Sequence, residues 1–161
     1  MSRGSPAPVA AMVLGIGNEL RGDDGVGPEV ARRLSGRCGV PVVNAGEVPE
    51  NYLDLVRARS PERVLLIDAA DFGGAPGDTA LVRLDVGETT SSRLPTTHCA
   101  SLSVFARYLR TEIGTEVWLL GIQPASLEFG RPLSAPVAGA VERATAMAET
   151  WTNRRPDARE E

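Results

Sequence analysis

Apolar and polar positions along this chain change in blocks. A continuous apolar run, VAAMVLGI at 9–16, gives way to a polar, glycine-rich stretch and then to helical spacing. Strands buried on both faces read as unbroken apolar runs, so 9–16 predicts a first, central strand. Pro28 suits the first turn of a helix, with Glu29 favourable near its positive end, Val30, Ala31 and Leu34 inward and Gly36 as its stop. A second strand is predicted at 40–43, running into Asn44, Ala45 and Gly46. Pro49 opens another helix with Leu53 and Val56 inward. A third strand at 64–67 ends on Asp68, and GGAPGD at 73–78 is a turn cluster.

At 79–85, Ala80, Val82 and Leu84 alternate with Thr79, Leu81, Arg83 and Asp85. That imperfect alternation predicts an edge strand. Residues 87–97 read as a Thr- and Ser-rich loop, and His98 enters a helix with Leu102, Phe105, Ala106, Leu109 and Ile113 on one face. A fifth strand at 117–122 closes on Gln123 and Pro124. A last helix buries Val137, Ala140, Val141, Ala144, Ala148 and Trp151. Residues 1–8 and 152–161 are expected to be flexible tails around a core of about 9–151. Strands alternating with helices imply an α/β domain, a mostly parallel sheet with helices on both faces, and 1–161 as a single domain.

Composition narrows the partners. A net charge of −4 and a pI near 5.1 argue against nucleic acid and anionic membrane. Every basic residue is arginine, from which no function follows. Two cysteines, Cys38 and Cys99, make neither a disulfide framework nor a paired thiolate motif. The longest apolar stretch is far short of the ~20 residues of a membrane span, and MSRGSPAP is not a secretory signal. A cytoplasmic protein is expected.

The chemistry gathers in GIGNELRGDDGVGP at 15–28. Gly15 and Gly17 open a dinucleotide-type G-x-G-x-x-G, but Leu20 stands where the third glycine should pack helix on strand. Glu19, Asp23 and Asp24 would also repel a pyrophosphate. These acids suit a cation instead. Asp24 after the first strand and Asp68 at the end of the third would overhang one crevice if those strands are neighbours. With His98, the only histidine, they offer oxygen and nitrogen donors that suit Ni, Zn, Fe or Mn, and three ligands leave positions open for reaction. Each also has an ordinary reading, with Asp24 as helix cap, Asp68 as cap or loop acceptor and His98 as a helix-entry residue. Asp71 is a rival ligand or turn former, and Asp23 is expected to hold the loop through backbone amides. Cys99 beside His98 diverges from it in direction and makes a poor Cys–His pair.

In order, GIGNELRGDDGVGP, NAG (44–46) with Pro49-Glu50-Asn51, LLIDAADFG (65–73) with Pro76-Gly77, TTH (96–98) and LLGIQP (119–124) resemble the nickel–iron hydrogenase maturation proteases. The branch that processes the hydrogenase of formate hydrogenlyase is the most similar. The resemblance implies a phosphorylase/hydrolase-like fold, a twisted five-stranded sheet between helices. It implies an endopeptidase that removes the C-terminal extension from the nickel-loaded large-subunit precursor, acting as a monomer. The family's metal-contacting positions fall on Asp24, Asp68 and His98, which double as the catalytic candidates. Nickel would come with the substrate, and zinc or other divalent ions could take the site in vitro. The alternative is a non-catalytic, nickel-dependent chaperone of the same precursor.

Overall fold

The computed structural model describes residues 7–84 and 99–154. Five strands, β1 (Ala11–Ile16), β2 (Val42–Gly46), β3 (Arg63–Ala69), β4 (Thr79–Leu84) and β5 (Glu116–Ile122), form one sheet in the order β2-β1-β3-β5-β4. All neighbours are parallel except β4, which runs antiparallel to β5 at the edge. The mostly parallel sheet and its edge strand are therefore as the sequence predicts.

Four helices cover it: α1 (Val26–Leu34), α2 (Leu53–Arg59), α3 (Cys99–Tyr108) and α4 (Ala135–Asn153). Strand residues point alternately to the two faces, and this divides the core in two. Ala11 and Val13 of β1, with Leu65 and Ile67 of β3, pack against α1 and α4. Met12, Leu14 and Ile16, with Val64 and Leu66, pack against α2 and α3. Both sides of β1 are thus buried, the physical reason its sequence is apolar without a break. Leu102, Phe105 and Ala106 of α3, Leu109 directly after it, and every predicted inward residue of α4 are buried. On β4, Leu81 joins one core and Leu84 the other, while Val82 stays exposed, which explains the blurred alternation.

The differences are local. A 3-10 turn at Gly22–Gly25 precedes α1, so the helix starts two residues before Pro28, still within the first turn that tolerates proline. Pro49–Tyr52 is likewise a 3-10 turn before α2, and β2 begins two residues later than predicted. The chain stays tied beyond 151. α4 reaches Asn153, and the Arg63 guanidinium donates to the carbonyls of Trp151 (3.2 Å) and Arg154 (2.8 Å) while lying 4.4 Å from the Trp151 ring centroid. A cation at a helix C-terminus is favourable in itself. The loop at 87–97, Asp85, His98 and the outer parts of both predicted tails lie outside the described residues.

Candidate functional site

Strand order creates the crevice. The chain leaves β1 for β2 on one side and returns to β3 on the other. β1 and β3 are therefore neighbours at a topological switch point, where open α/β sheets bind ligands beyond the carboxyl ends of their strands. Asp24 follows β1 and Asp68 is the penultimate residue of β3. Both lie at this edge, and the 3-10 turn carrying Asp24 packs against β3.

Two glycines make the approach possible. Gly17 has φ +145°, and a Cβ there would lie 1.8 Å from the Asp24 carbonyl oxygen, so only glycine lets the loop fold back on the end of β1. A Cβ on Gly27 would lie 2.3 Å from the Ile16 oxygen and 2.4 Å from the Ile67 oxygen. The first turn of α1 therefore rests directly on the ends of β1 and β3. This is the close helix–strand packing that the third glycine of a dinucleotide motif supplies. Leu20, at the third glycine's place in that motif, is exposed, and the chain makes the close contact seven residues later.

The loop acids divide their work. Asp23 is buried, and its carboxylate clasps the segment after β5. Oδ2 accepts from the Ala125 N–H (2.8 Å), the Ser126 N–H (3.2 Å) and the Ser134 hydroxyl (2.8 Å), and Oδ1 accepts from the Ser134 N–H (2.7 Å). The loop-holding role read for Asp23 is what the structure shows. Asp24, 3% exposed, accepts the Asn18 N–H at 2.8 Å. Glu19 stays at the surface, paired with Arg32.

Asp68 is 0% exposed and accepts the Ala69 N–H at 2.8 Å. It shares strand parity with Val64 and Leu66, so it faces the α3 side of the sheet. Burying a carboxylate is costly unless hydrogen bonds, an opposite charge or a metal compensate. Asp71 is a turn former. Its Oδ1 accepts the Gly73 N–H and the Gln123 side-chain N–H, both at 3.1 Å, and these bonds, the Gln123 bond foremost, hold its carboxyl below the usual carboxylate range.

His98 itself lies outside the described residues, but α3 begins at the next position. The ten residues of α3 and the five of the turn that continues it, Leu109–Ile113, rise about 22 Å. A seven-residue strand is about 23 Å long. The chain leaves α3 to start β5 beside Arg63, at the opposite end of the sheet. The first turn of α3 therefore lies toward the carboxyl edge, on the face that carries Asp68. Among the described residues no three His, Cys, Asp or Glu side chains form a metal cluster. Two carboxylates alone do not close a metal site.

Sequence reasoning missed Gln123. Buried at the end of β5, it accepts the N–H groups of Phe72 (2.9 Å) and Gly74 (3.1 Å) as it donates to Asp71. A glutamine closing an apolar strand run was the available signal, because a buried amide needs several partners.

An α/β domain with an acidic crevice at its β1/β3 switch point is the class of protein these features define. Comparison with known proteins makes that more specific. The family model of the hydrogenase maturation proteases matches residues 26–151. The hydrogenase 3 maturation protease of Escherichia coli K12 is 34% identical over 142 residues, covering 87% of this chain and 89% of that protein. The crystal structure of a hydrogenase 3 maturation protease superposes with a TM-score of 0.74 at 34% identity, over 89% of this chain and 91% of that one. A NiFe hydrogenase maturation protease from Thermococcus kodakarensis gives 0.73 at 29% identity, over 89% and 92%. The chain belongs to the hydrogenase maturation protease family, and it is a peptide hydrolase.

Proposed function

We propose that this protein is the endopeptidase that removes the C-terminal extension of a NiFe hydrogenase large-subunit precursor, using Asp24, Asp68 and His98. The observation that carries the proposal is the placement of two buried carboxylates at the carboxyl edge of adjacent parallel strands, in a chain of this family. Nickel is cargo of the substrate in this reading. Asp24 and Asp68 supply hard oxygen donors and His98 a nitrogen donor, a set that suits a divalent ion and leaves coordination positions open for ligands that the substrate brings. The same donors would accept zinc in vitro.

Cleavage needs a water near the scissile carbonyl. A carboxylate at this crevice takes the proton as water adds to the carbonyl carbon, and the amine leaves with a proton returned to it. A divalent ion held by the precursor can instead polarise the carbonyl or the water. The reading extends to a cytoplasmic monomer. No helix among the described residues is long and apolar enough to cross a membrane.

The test is release of the C-terminal peptide from nickel-loaded precursor, followed by mass spectrometry. Asp24→Asn, Asp68→Asn and His98→Ala should each slow release by about a hundredfold or more, the scale of a lost acid–base group. Wild-type rates in the Asp68→Asn protein would refute the assignment. A stable complex of the wild-type protein with loaded precursor, releasing no peptide, would refute proteolysis.

A further inference from the structure

Resting on the protease reading above, we infer that the exposed ring of Phe72, bedded on Ala70 and Gly121, is an apolar subsite beside Asp68. It takes an apolar side chain of the precursor's C-terminal segment, and Gln123 is the positioning residue that holds Phe72 there.

The first ground is register. Gly121 of β5 pairs with Asp68 of β3, and Ala70 has the same parity as Asp68. Val117 and Leu119 point to the α3 side, so Gly121 faces that side too. A Cβ on Gly121 would sit 2.8 Å from the Ala70 Cβ and 3.9 Å from the Phe72 Cε1. Ala70 and Gly121 are themselves buried and leave no room for even a methyl group between them, so they form a bed beside Asp68 on which the edge of the Phe72 ring rests.

The second ground is that Phe72 is held in an exposed position. It keeps 39% of its surface in water, although an aromatic ring gains by burial. The loop carrying it is fixed. Gln123 Oε1 accepts the Phe72 and Gly74 N–H groups, Gln123 Nε2 donates to Asp71, and Asp78 Oδ2 accepts the Ala75 N–H at 2.9 Å. Polar bonds of this density on a strand end present a side chain at a set position, as binding loops on rigid scaffolds do.

The third ground is the distribution of exposed apolar side chains. Each of the four parallel strands is followed by a loop carrying one of them: Leu20 after β1, Val48 after β2, Phe72 after β3 and Phe129 after β5. All four belong to the carboxyl edge that bears Asp24 and Asp68. Phe72 is the one in contact with the floor beside Asp68. The occupant this chemistry selects is a peptide segment with an aliphatic side chain, because the exposed surface on offer is an aromatic ring, which gains by being covered with apolar surface.

Steady-state cleavage of nickel-loaded precursor tests the subsite. Phe72→Ala should raise KM about tenfold, the effect of withdrawing about 55 Å² of apolar contact, with kcat changed less than about twofold. Phe72→Leu should restore most of the KM. Gln123→Leu, which frees the loop, should raise KM in the same direction. Val104→Ser, an exposed apolar change on α3, should behave as wild type. A wild-type KM for Phe72→Ala overturns the subsite. So does a loss confined to kcat that Phe72→Leu fails to rescue, since that marks a structural role. Asp68→Asn separates the two claims. If it cleaves normally, the assignment of Asp68 to the site falls, and if it is inactive while the Phe72 series is flat, only the subsite falls. If the wild-type protein releases no peptide, the protease reading falls.

Discussion

Replacing Asp23 by asparagine tests whether the two adjacent loop acids do different jobs. The substitution keeps the shape and converts one carboxylate oxygen into an amide that can no longer accept. With the amide nitrogen in the Oδ2 position, the Ala125 and Ser126 N–H groups at 2.8 and 3.2 Å face a donor, although the Ser134 hydroxyl can turn to accept from it. With the amide reversed, the Ser134 N–H at 2.7 Å is the group opposed. Neither orientation satisfies all the donors, and the charge that strengthened each bond is gone. An amide stripped of its acceptor costs about 1–3 kcal/mol where water is excluded. The loop is partly accessible, so a net loss of about 2–4 kcal/mol is expected rather than the full sum. With a urea slope of about 2 kcal/mol/M, the unfolding midpoint should fall by about 1–2 M at unchanged slope. Under conditions where the variant stays folded, cleavage should persist at a reduced rate, because Asp24 is still present. An unchanged midpoint would refute the clasp. A complete loss of cleavage by a stably folded Asp23→Asn protein would mean that Asp23 meets the substrate.

Two further outcomes follow from the same geometry. Gly27→Ala should cost about 3 kcal/mol or more, because the new Cβ meets two backbone oxygens rather than yielding side chains. At about 2–4 °C per kcal/mol for a chain of this size, the melting temperature should drop by about 10 °C, and an unchanged melting temperature would show that α1 does not rest on β1 and β3 as described. For Asp71, the depressed carboxyl contributes stability that is present above its ordinary pKa of 3.8 and is lost as pH falls through its lower folded value. Gln123→Leu should move the Asp71 titration, followed by carboxyl carbon chemical shifts, back up toward 3.8. No movement would remove the Gln123 bond as the leading cause.

The periodicities legible in the sequence were those set by burial. The unbroken run of β1 and the stripes of α3 and α4 report which faces meet apolar neighbours, and burial on two faces or one writes itself directly into residue type. Element starts were less legible. The turn at Gly22–Gly25 is helical despite the poor helix propensity of its two glycines, held by the Gly22 and Asp23 N–H groups donating to the distant Arg131 and Ser126 carbonyls. That at Pro49–Tyr52 opens on a proline that suits a first turn. At the candidate site, the sequence predicts that Asp23 holds the loop through backbone amides, without saying which. Its actual partners, however, lie more than 100 residues away.

The sequence by itself determined the class of fold, the family and the acids worth attention, because residue type and spacing carry hydrophobic period, turn chemistry and motif. Only the tertiary structure decided that β1 and β3 are neighbours, that Gly27 and not position 20 makes the close contact, and that Asp23 faces the loop after β5. It also set Phe72 against Gly121 beside Asp68. Each of these depends on strand order and register, which arise from pairings between distant segments. A local pattern specifies that a strand exists and which way its side chains alternate, but several partners can satisfy the same apolar face, and packing of the whole chain selects among them.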